Sequence, residues 1–397
     1  MRILLVTDGI YPFVLGGMQK YAFDLAESLC IHGVQVTVVH CVPPAMAGTE
    51  WQRPEFASFN RRLVDFRSVP FPTEDRWPGH YLRASRRYAR LVYEAVQDEA
   101  SGHDVVYCQG FTGLAFIQAR REGRLHVPVV SHLHGYEMFQ VPPSLKARLV
   151  RGPLRTMARR VALGSDGVFN LGRHITGILR GLGVPAERIL ECPSAVDARW
   201  LVGEESLPVH PERTFIFVGR DERRKGVPEI HEALRALIRG GTQGWRFHFV
   251  GPMKEHGRVV DPRVVYHGAV RGEEKVKALL QAADVLLCPS WSEGMPTVIM
   301  EAMANGNAVI VTDVGAAGLL VDGNGWLLHA PDPEAIVAAM HEAILLPAEQ
   351  LLALKRRSLE HIRAHFIWDR VVERQLQLLD TVVRRGKQQR ELRASKP

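Results

Sequence analysis

Pro289-Ser290-Trp291-Ser292-Glu293-Gly294-Met295-Pro296-Thr297-Val298-Ile299-Met300-Glu301-Ala302-Met303-Ala304-Asn305-Gly306 carries the strongest architectural signal in the chain. Before it runs Ala283-Asp284-Val285-Leu286-Leu287-Cys288, a short apolar segment that reads as a buried parallel strand. After Pro296, residues Thr297 to Ala304 are expected to form a helix closed by Gly306. In open α/β sheets ligands settle outside the carboxyl ends of the strands, so this loop and helix start lie where a ligand sits. The amides of Gly294, Met295, Thr297 and Val298 are helix-start donors suited to an anion. Glu293 in the loop and Glu301 in the helix stand eight positions apart, and carboxylates accept hydrogen bonds from sugar or ribose hydroxyls. The plainer alternative makes Glu293 a helix cap and Glu301 a solvated face. For an arbitrary pair of glutamates it would prevail.

The wider context argues otherwise. Pro-Ser-x-x-Glu-Gly-x-Pro followed by Glu-Ala-x-Ala-x-Gly resembles the signature of retaining family-4 glycosyltransferases of the GT-B architecture, the group 1 glycosyl transferases. The resemblance implies an α/β fold of two Rossmann-like doubly wound domains facing across a cleft. It also implies that Glu301 binds a nucleotide's ribose and Glu293 the hydroxyls of the donor sugar, with Gly294, Met295, Pro296, Thr297 and Val298 beside that donor.

A chain of 397 residues suits two domains. Its hydrophobic share of 46% and charged share of 23% are ordinary for a globular protein. No apolar run approaches the roughly 18 residues of a membrane span. The chain opens directly on a strand, so no signal peptide is expected. Cys30, Cys41, Cys108, Cys192 and Cys288 are scattered without a paired spacing. They read as small core residues in a reducing cytosol, with neither a disulfide set nor a zinc site.

The net charge is +7, and residues 1–198 carry 23 Lys and Arg against 18 Asp and Glu. From Leu145 to Arg160 there are six basic residues (Lys146, Arg148, Arg151, Arg155, Arg159, Arg160) and no acid. Gly152-Pro153 is expected to interrupt any single helix there. A basic amphipathic segment of this kind can lie on anionic lipid, and a solvated face whose Arg stems cover the core is the alternative. Nucleic acid is not expected as a partner, because aromatic residues do not interleave with the basic ones.

In the N-terminal half, Ile3–Thr7, a helix over Gln19–His32, and Val34–His40 read as a βαβ unit. The loop Asp8-Gly9-Ile10-Tyr11-Pro12-Phe13-Val14-Leu15-Gly16-Gly17 feeds the helix, and Gly16 and Gly17 permit close backbone approach to a phosphate or sugar. It is not the G-x-G-x-x-G of dinucleotide-binding folds, which argues against a nicotinamide enzyme. It matches the glycine loop that lies under the transferred sugar in the family. Residues 43–80, rich in Pro, Arg and Phe, read as irregular acceptor-side loops. A strand over Pro128–Leu133 ends in His134-Gly135-Tyr136-Glu137; the resemblance implies that His134 contacts the donor sugar, and extends less firmly to Glu137. A linker opens at Ser194-Ala195-Val196-Asp197, where family members usually read N-G-V-D.

The second domain opens with Thr214–Val218 and Gly219-Arg220-Asp221-Glu222-Arg223-Arg224-Lys225-Gly226. Arg220 and Lys225 set two cations above the sheet edge, suited to a diphosphate, and they match the family's G-R-x(4)-K-G motif. Arg223 and Arg224 read as surface. Gly219 and Gly251, each ending a strand, are nucleotide-side candidates, as is the Gly268-Ala269-Val270 loop. Past the glutamates, Gly315-Ala316-Ala317-Gly318-Leu319 departs from the family's Gly-Gly-x-x-Glu. Helices at Pro333–Leu346, Ala348–His365 and Trp368–Arg385 follow, the last crossing back to the first domain as in GT-B proteins. The basic, Gln-rich end is expected to be disordered.

The domains expected are thus 1–198 on the acceptor side, 199–367 for the donor, the returning helix 368–385 and a tail at 386–397. Cysteine usage and the opening strand lead to the expectation of a cytoplasmic protein, and the basic segment 145–160 to that of peripheral contact at the inner membrane face; the resemblance implies an enzyme. It would move a sugar from a UDP- or GDP-sugar to a glycan, lipid-linked or small-molecule hydroxyl with retention of configuration. Arg220, Lys225, Glu293 and His134 are the catalytic candidates. No Asp-x-Asp pair occurs, so leaving-group stabilisation without a metal or other cofactor is the simpler expectation. A GT-B sugar-nucleotide epimerase and a non-catalytic GT-B binding protein are the alternatives.

Overall fold

The computed structural model describes residues 1–72, 77, 79–142 and 145–394. Its first part runs β1 (Arg2–Val6), α1 (Gly17–Ile31), β2 (Gln35–His40), β3 (Val64–Ser68), α2 (His80–Ala100), β4 (Val105–Gln109), α3 (Leu114–Arg121), β5 (Val129–His132), α4 (Leu145–Gly164), β6 (Gly167–Asn170), α5 (His174–Gly181) and β7 (Ile189–Glu191). These strands form one sheet ordered β3-β2-β1-β4-β5-β6-β7, parallel throughout. A second sheet follows, from β8 (Arg213–Val218), α6 (Val227–Arg239), β9 (Trp245–Val250), β10 (Val264–Tyr266), α7 (Glu273–Gln281), β11 (Val285–Cys288), α8 (Thr297–Ala304), β12 (Ala308–Thr312) and β13 (Gly325–Leu328). Its order is β10-β9-β8-β11-β12-β13. The helices α9 (Pro333–Leu345), α10 (Ala348–His365) and α11 (Trp368–Ala394) close the chain.

Both sheets are apolar on two faces, and the period of two along a strand distributes the side chains. In β1, Ile3 and Leu5 join the core under α1 and α11, whereas Leu4 and Val6 join the one under α2, α3 and α4. In β11, Val285 and Leu287 face one layer, and Leu286 and Cys288 the other. Strand order reverses between β1 and β4 and again between β8 and β11, so each domain carries a crevice at its carboxyl edge. The domains meet at a double crossing, where Val196 N–H donates to the Phe366 carbonyl at 2.8 Å and bridges to Ile367. From there α11 returns to the first domain, burying Trp368, Val371, Val372 and Leu379 with residues of β1 and α1. All five cysteines are buried and unpaired. Among the described residues, no single helix is long and apolar enough to cross a membrane.

Three expectations need correction. Residues 43–80 are not loops throughout, because β3 lies within them as an edge strand paired to β2. Its Val64-Asp65-Phe66-Arg67-Ser68 alternates in polarity, and Phe66 stacks edge-on with Trp51, Phe56 and Phe59; residues 73–76 and 78 of that stretch lie outside the described residues. Gly152-Pro153 does not break α4. The two residues are exposed, so water can satisfy the carbonyl left without a partner, while Met157, Ala158 and Val161 seat the helix on the sheet. The tail is not disordered from 386: α11 continues to Ala394. Lys387-Gln388-Gln389-Arg390-Glu391 are good helix formers, and Gly386 fits against Pro128; residues 395–397 lie outside the described residues.

Gly251 provides a test of how tightly the second crevice is built. Its φ is +128°, and a β-carbon there would stand 1.9 Å from the Gly219 carbonyl oxygen. Gly251→Ala should therefore lose more than the 1–3 kcal/mol, roughly, that a disfavoured backbone conformation costs. Gly241→Ala, at φ +67° with open space around it, should lose only about 1–2 kcal/mol. Urea unfolding of both variants checks the order.

Candidate active site

The two crevices open onto one cleft of about 490 Å³. It is lined by His134, Gly17, Gly219, Arg220, Lys225, Gly251, Glu293, Gly294, Met295, Pro296, Thr297, Val298 and Glu301, so thirteen of the fourteen residues singled out from sequence meet there. Gly16 stands one residue behind, its backbone extended and the Gln19 amide filling the space a side chain would need.

The charged wall of the cleft follows from the turn after β8. A short 3₁₀ turn at Arg223–Lys225 directs successive side chains to different partners. Arg223 turns outward to Glu229, at 2.6 Å, and lies over the Trp291 ring. Arg224, expected at the surface, instead lines the cleft and donates to Glu293 Oε2 at 3.2 Å and Glu222 Oε2 at 2.8 Å. Consecutive basic residues carry no sequence sign of which one turns inward. Lys225 Nζ reaches Glu293 Oε1 at 2.5 Å, and Ser290 Oγ donates to the same oxygen at 2.9 Å. Lys225 is only 17% exposed and so less open than its position suggested, whereas Arg220 is 73% exposed and pairs with Glu222.

Glu293 and Gly294 are also gripped by the first domain. Gln140 accepts from Glu293 N–H at 3.2 Å and donates to the Glu293 carbonyl at 2.6 Å, and to that of Gly135 at 2.7 Å. A β-carbon on Gly294 would stand 2.8 Å from the His134 carbonyl oxygen. Arg151 and Arg155 of α4 hold this loop in turn, donating to the carbonyls of Gln140 and Met138. Lys146 and Arg148 fall outside the described side chains. The Gly315–Gly318 segment packs against the loop from the other side, with Ala316 N–H donating to the Gly294 carbonyl at 2.7 Å and Arg173 pairing with Asp313 at 2.7 Å.

His134 sits at φ +58°, a region that few residues with a β-carbon adopt. Its ring stacks on His132 at 3.8 Å and meets Tyr21 edge-on, and its Nε2 has no partner. Burial pushes its pKa down to about 3, so it acts as a neutral hydrogen-bonding group rather than a proton carrier. Behind it, His132 Nδ1 meets the Tyr107 hydroxyl at 2.8 Å, and Gln375 of α11 donates to that hydroxyl at 2.9 Å. Glu137 lines the cleft as well, its carboxyl raised by burial and by the nearby Glu293.

The floor differs in detail from expectation. The Gly219 and Gly251 amides are spent on the carbonyls of Val250 and Gly268, so these glycines let two strand ends approach rather than offering donors. Ala269 and Val270 line the wall beside them. At α8 no side chain caps the helix start, leaving the amides of Thr297 and Val298 toward the cleft. Glu301, one turn on, has no side-chain partner among the described residues. Burial, with the Glu273 carboxylate adding and Lys20 opposing, raises its carboxyl to about 7. No cluster of three or more His, Cys, Asp or Glu side chains is arranged to hold a metal ion among the described residues.

Two facing doubly wound domains with a cationic, carboxylate-bearing cleft between them define a GT-B glycosyltransferase. Residues 16–194 match the Glycosyl transferase 4-like domain and residues 212–345 the Glycosyl transferases group 1 family. TuaC of Bacillus subtilis, a glycosyltransferase assigned to teichuronic acid biosynthesis, is 37% identical over 87% of this chain and 91% of its own. The phosphatidyl-myo-inositol mannosyltransferase of Mycolicibacterium smegmatis is 27% identical over 86% of this chain and 84% of its own. The chain belongs to the group 1 glycosyl transferases of the family-4 type, and it is an enzyme of that class. Among solved structures, sucrose-phosphate synthase from Thermosynechococcus elongatus shares the fold with a TM-score of 0.70 at 19% identity, covering 100% of both chains. Anabaena HepE, in complex with UDP and glucose, does so with 0.67 at 16%, over 96% of this chain and 100% of its own.

Glu301 sets a pH signature. Its folded-state pKa lies above the ordinary carboxyl range, so the group is neutral below about 7 and charged above it. A ligand whose hydroxyls donate to Glu301 favours the charged form, and its affinity should rise as pH climbs through about 7. Calorimetry of nucleoside diphosphates across that range should show this slope in the native protein and its loss in Glu301→Gln; comparing the two removes the titration of the phosphate itself.

Proposed function

We propose that this glycosyltransferase moves a sugar from a nucleoside diphosphate sugar to an acceptor hydroxyl with retention of configuration and without a metal ion. The observation that carries the reading is the convergence of Arg220, Arg224, Lys225, Glu293, Glu301 and the α8 amides on one cleft at two strand-order reversals. A diphosphate entering there competes with Glu222 and Glu293 for the cations. Arg220 and Lys225 then stabilise the charge that grows on the departing diphosphate, together with the amides of Thr297 and Val298. Glu301 takes the ribose, Glu293 the donor-sugar hydroxyls, and neutral His134 contacts the donor sugar from the cleft wall. In a front-face transfer the departing phosphate accepts the acceptor's proton, so no side-chain nucleophile is required. That HepE, which shares the fold, was solved with UDP and glucose is in keeping with a nucleotide-sugar donor.

The acceptor we propose is a glycan, free or lipid-linked. TuaC is assigned to teichuronic acid and WcaL of Escherichia coli to colanic acid biosynthesis, which favours a polysaccharide acceptor. We assign the protein to the cytoplasm, with peripheral contact at the inner membrane face through the exposed basic side of α4, where Arg159 stands clear of the sheet. Arg151 and Arg155, tied to the cleft loop, are withdrawn from that role.

Arg220→Ala should cut turnover by roughly 10²-fold or more, the usual effect of removing one group that meets developing charge, with stability unchanged because the side chain is exposed. Lys225→Ala should match that loss in turnover and also lower the melting temperature, since Glu293 keeps only Arg224 and Ser290 as side-chain partners. The donor comes from a panel of nucleotide sugars screened for thermal stabilisation; at 100 times its dissociation constant a ligand adds about 2.7 kcal/mol. Turnover of both variants within a few-fold of native would overturn the assignment.

A further inference from the structure

Away from the cleft, the first domain holds a second cavity of about 410 Å³ between α2, α3 and α4. Four arginines line it: Arg86 and Arg90 from α2, Arg121 from α3 and Arg160 from α4, over an apolar wall that includes Leu114 and Ile117. None of the four makes an ion pair or a side-chain hydrogen bond among the described residues. Their neighbours show that the fold does pair arginines nearby. Arg120 is held by Asp166 at 2.6 Å, and Arg124 is paired with Glu122. On α2, the segment from His80 to Tyr93 contains no acid. All of α4 lacks acids too.

Like charges gathered around a concave surface repel one another and raise the local concentration of anions. Guanidinium forks fit the oxygens of a phosphate two at a time, and the aliphatic wall suits a carbon skeleton attached to it. We propose that the Arg86–Arg90–Arg121–Arg160 cavity is a second anion site, distinct from the transfer cleft, that binds a phosphate ester carrying an apolar substituent. Its existence does not depend on the donor chemistry proposed for the cleft.

The test separates the two sites. Inorganic pyrophosphate is titrated by calorimetry into full-length protein carrying Arg220→Ala, Arg224→Ala and Lys225→Ala, which removes the three cleft cations. Binding should persist, and should weaken at least about tenfold when Arg86, Arg90, Arg121 and Arg160 are also changed to Gln, as expected on losing several charge-assisted contacts. A control with the same charge change at exposed Arg180, Arg239, Arg356 and Lys387 should bind as before. Sedimentation with phosphatidylcholine vesicles, with and without phosphatidylglycerol, assigns the source: a preference for the anionic vesicles that disappears in the fourfold variant identifies a lipid headgroup, whereas pyrophosphate binding without that preference identifies a soluble phosphate ester. If the fourfold variant does not fold, Arg86→Gln with Arg121→Gln carries the same comparison. Equal behaviour of the cavity variant and the control toward both probes would overturn the proposal, and leaves the reading of the cleft untouched.

Discussion

The grip on the backbone of Glu293 and Gly294 is what makes two domains into one site. Gln140 closes on the Glu293 peptide from the first domain, Ala316 reaches the Gly294 carbonyl from the second, and the missing side chain of Gly294 lets the His134 carbonyl come near. Any side chain at that position would wedge the sheets apart and take His134 away from Glu293. The carboxylate of Glu293 depends on the same arrangement, since Lys225, Arg224 and Ser290 can reach it only while its peptide stays in place.

Burying a carboxylate beside two cations costs desolvation, which good geometry and additional hydrogen bonds offset. Here the third contact is the Ser290 hydroxyl, and Arg224 also shares Glu222. The cleft thus pairs its cations with its own acids rather than exposing bare positive charge. A phosphate-bearing ligand exchanges one set of charge-assisted bonds for another, so selectivity rests on geometry more than on net charge.

Much of this could be read from local sequence because the relevant elements are themselves local. Strand, glycine turn and helix start follow one another within about a dozen residues at 214–226 and 285–297, and that spacing alone brings Arg220, Lys225, Glu293 and the α8 amides to a sheet edge. What escaped were features decided by distant packing. Gln140 is an ordinary polar residue until the second domain sets Glu293 beside it. Arg224 was indistinguishable from Arg223 because only the phase of one 3₁₀ turn separates them. Pro153 stays within a helix because the sheet beneath α4 outweighs a lost hydrogen bond, and β3 was obscured by an edge position that leaves half of its residues wet.

The return of α11 bears on how the protein is made. Trp368, Val371, Val372 and Leu379 complete a core whose other members come from β1 and α1, and Gln375 braces the Tyr107 hydroxyl beneath the paired histidines. During synthesis the first domain leaves the ribosome early, yet its apolar face stays open until the second domain and α11 have followed it. Its consolidation therefore waits on the translation of the second domain, and a chain cut short before Trp368 would lack part of its first domain's core.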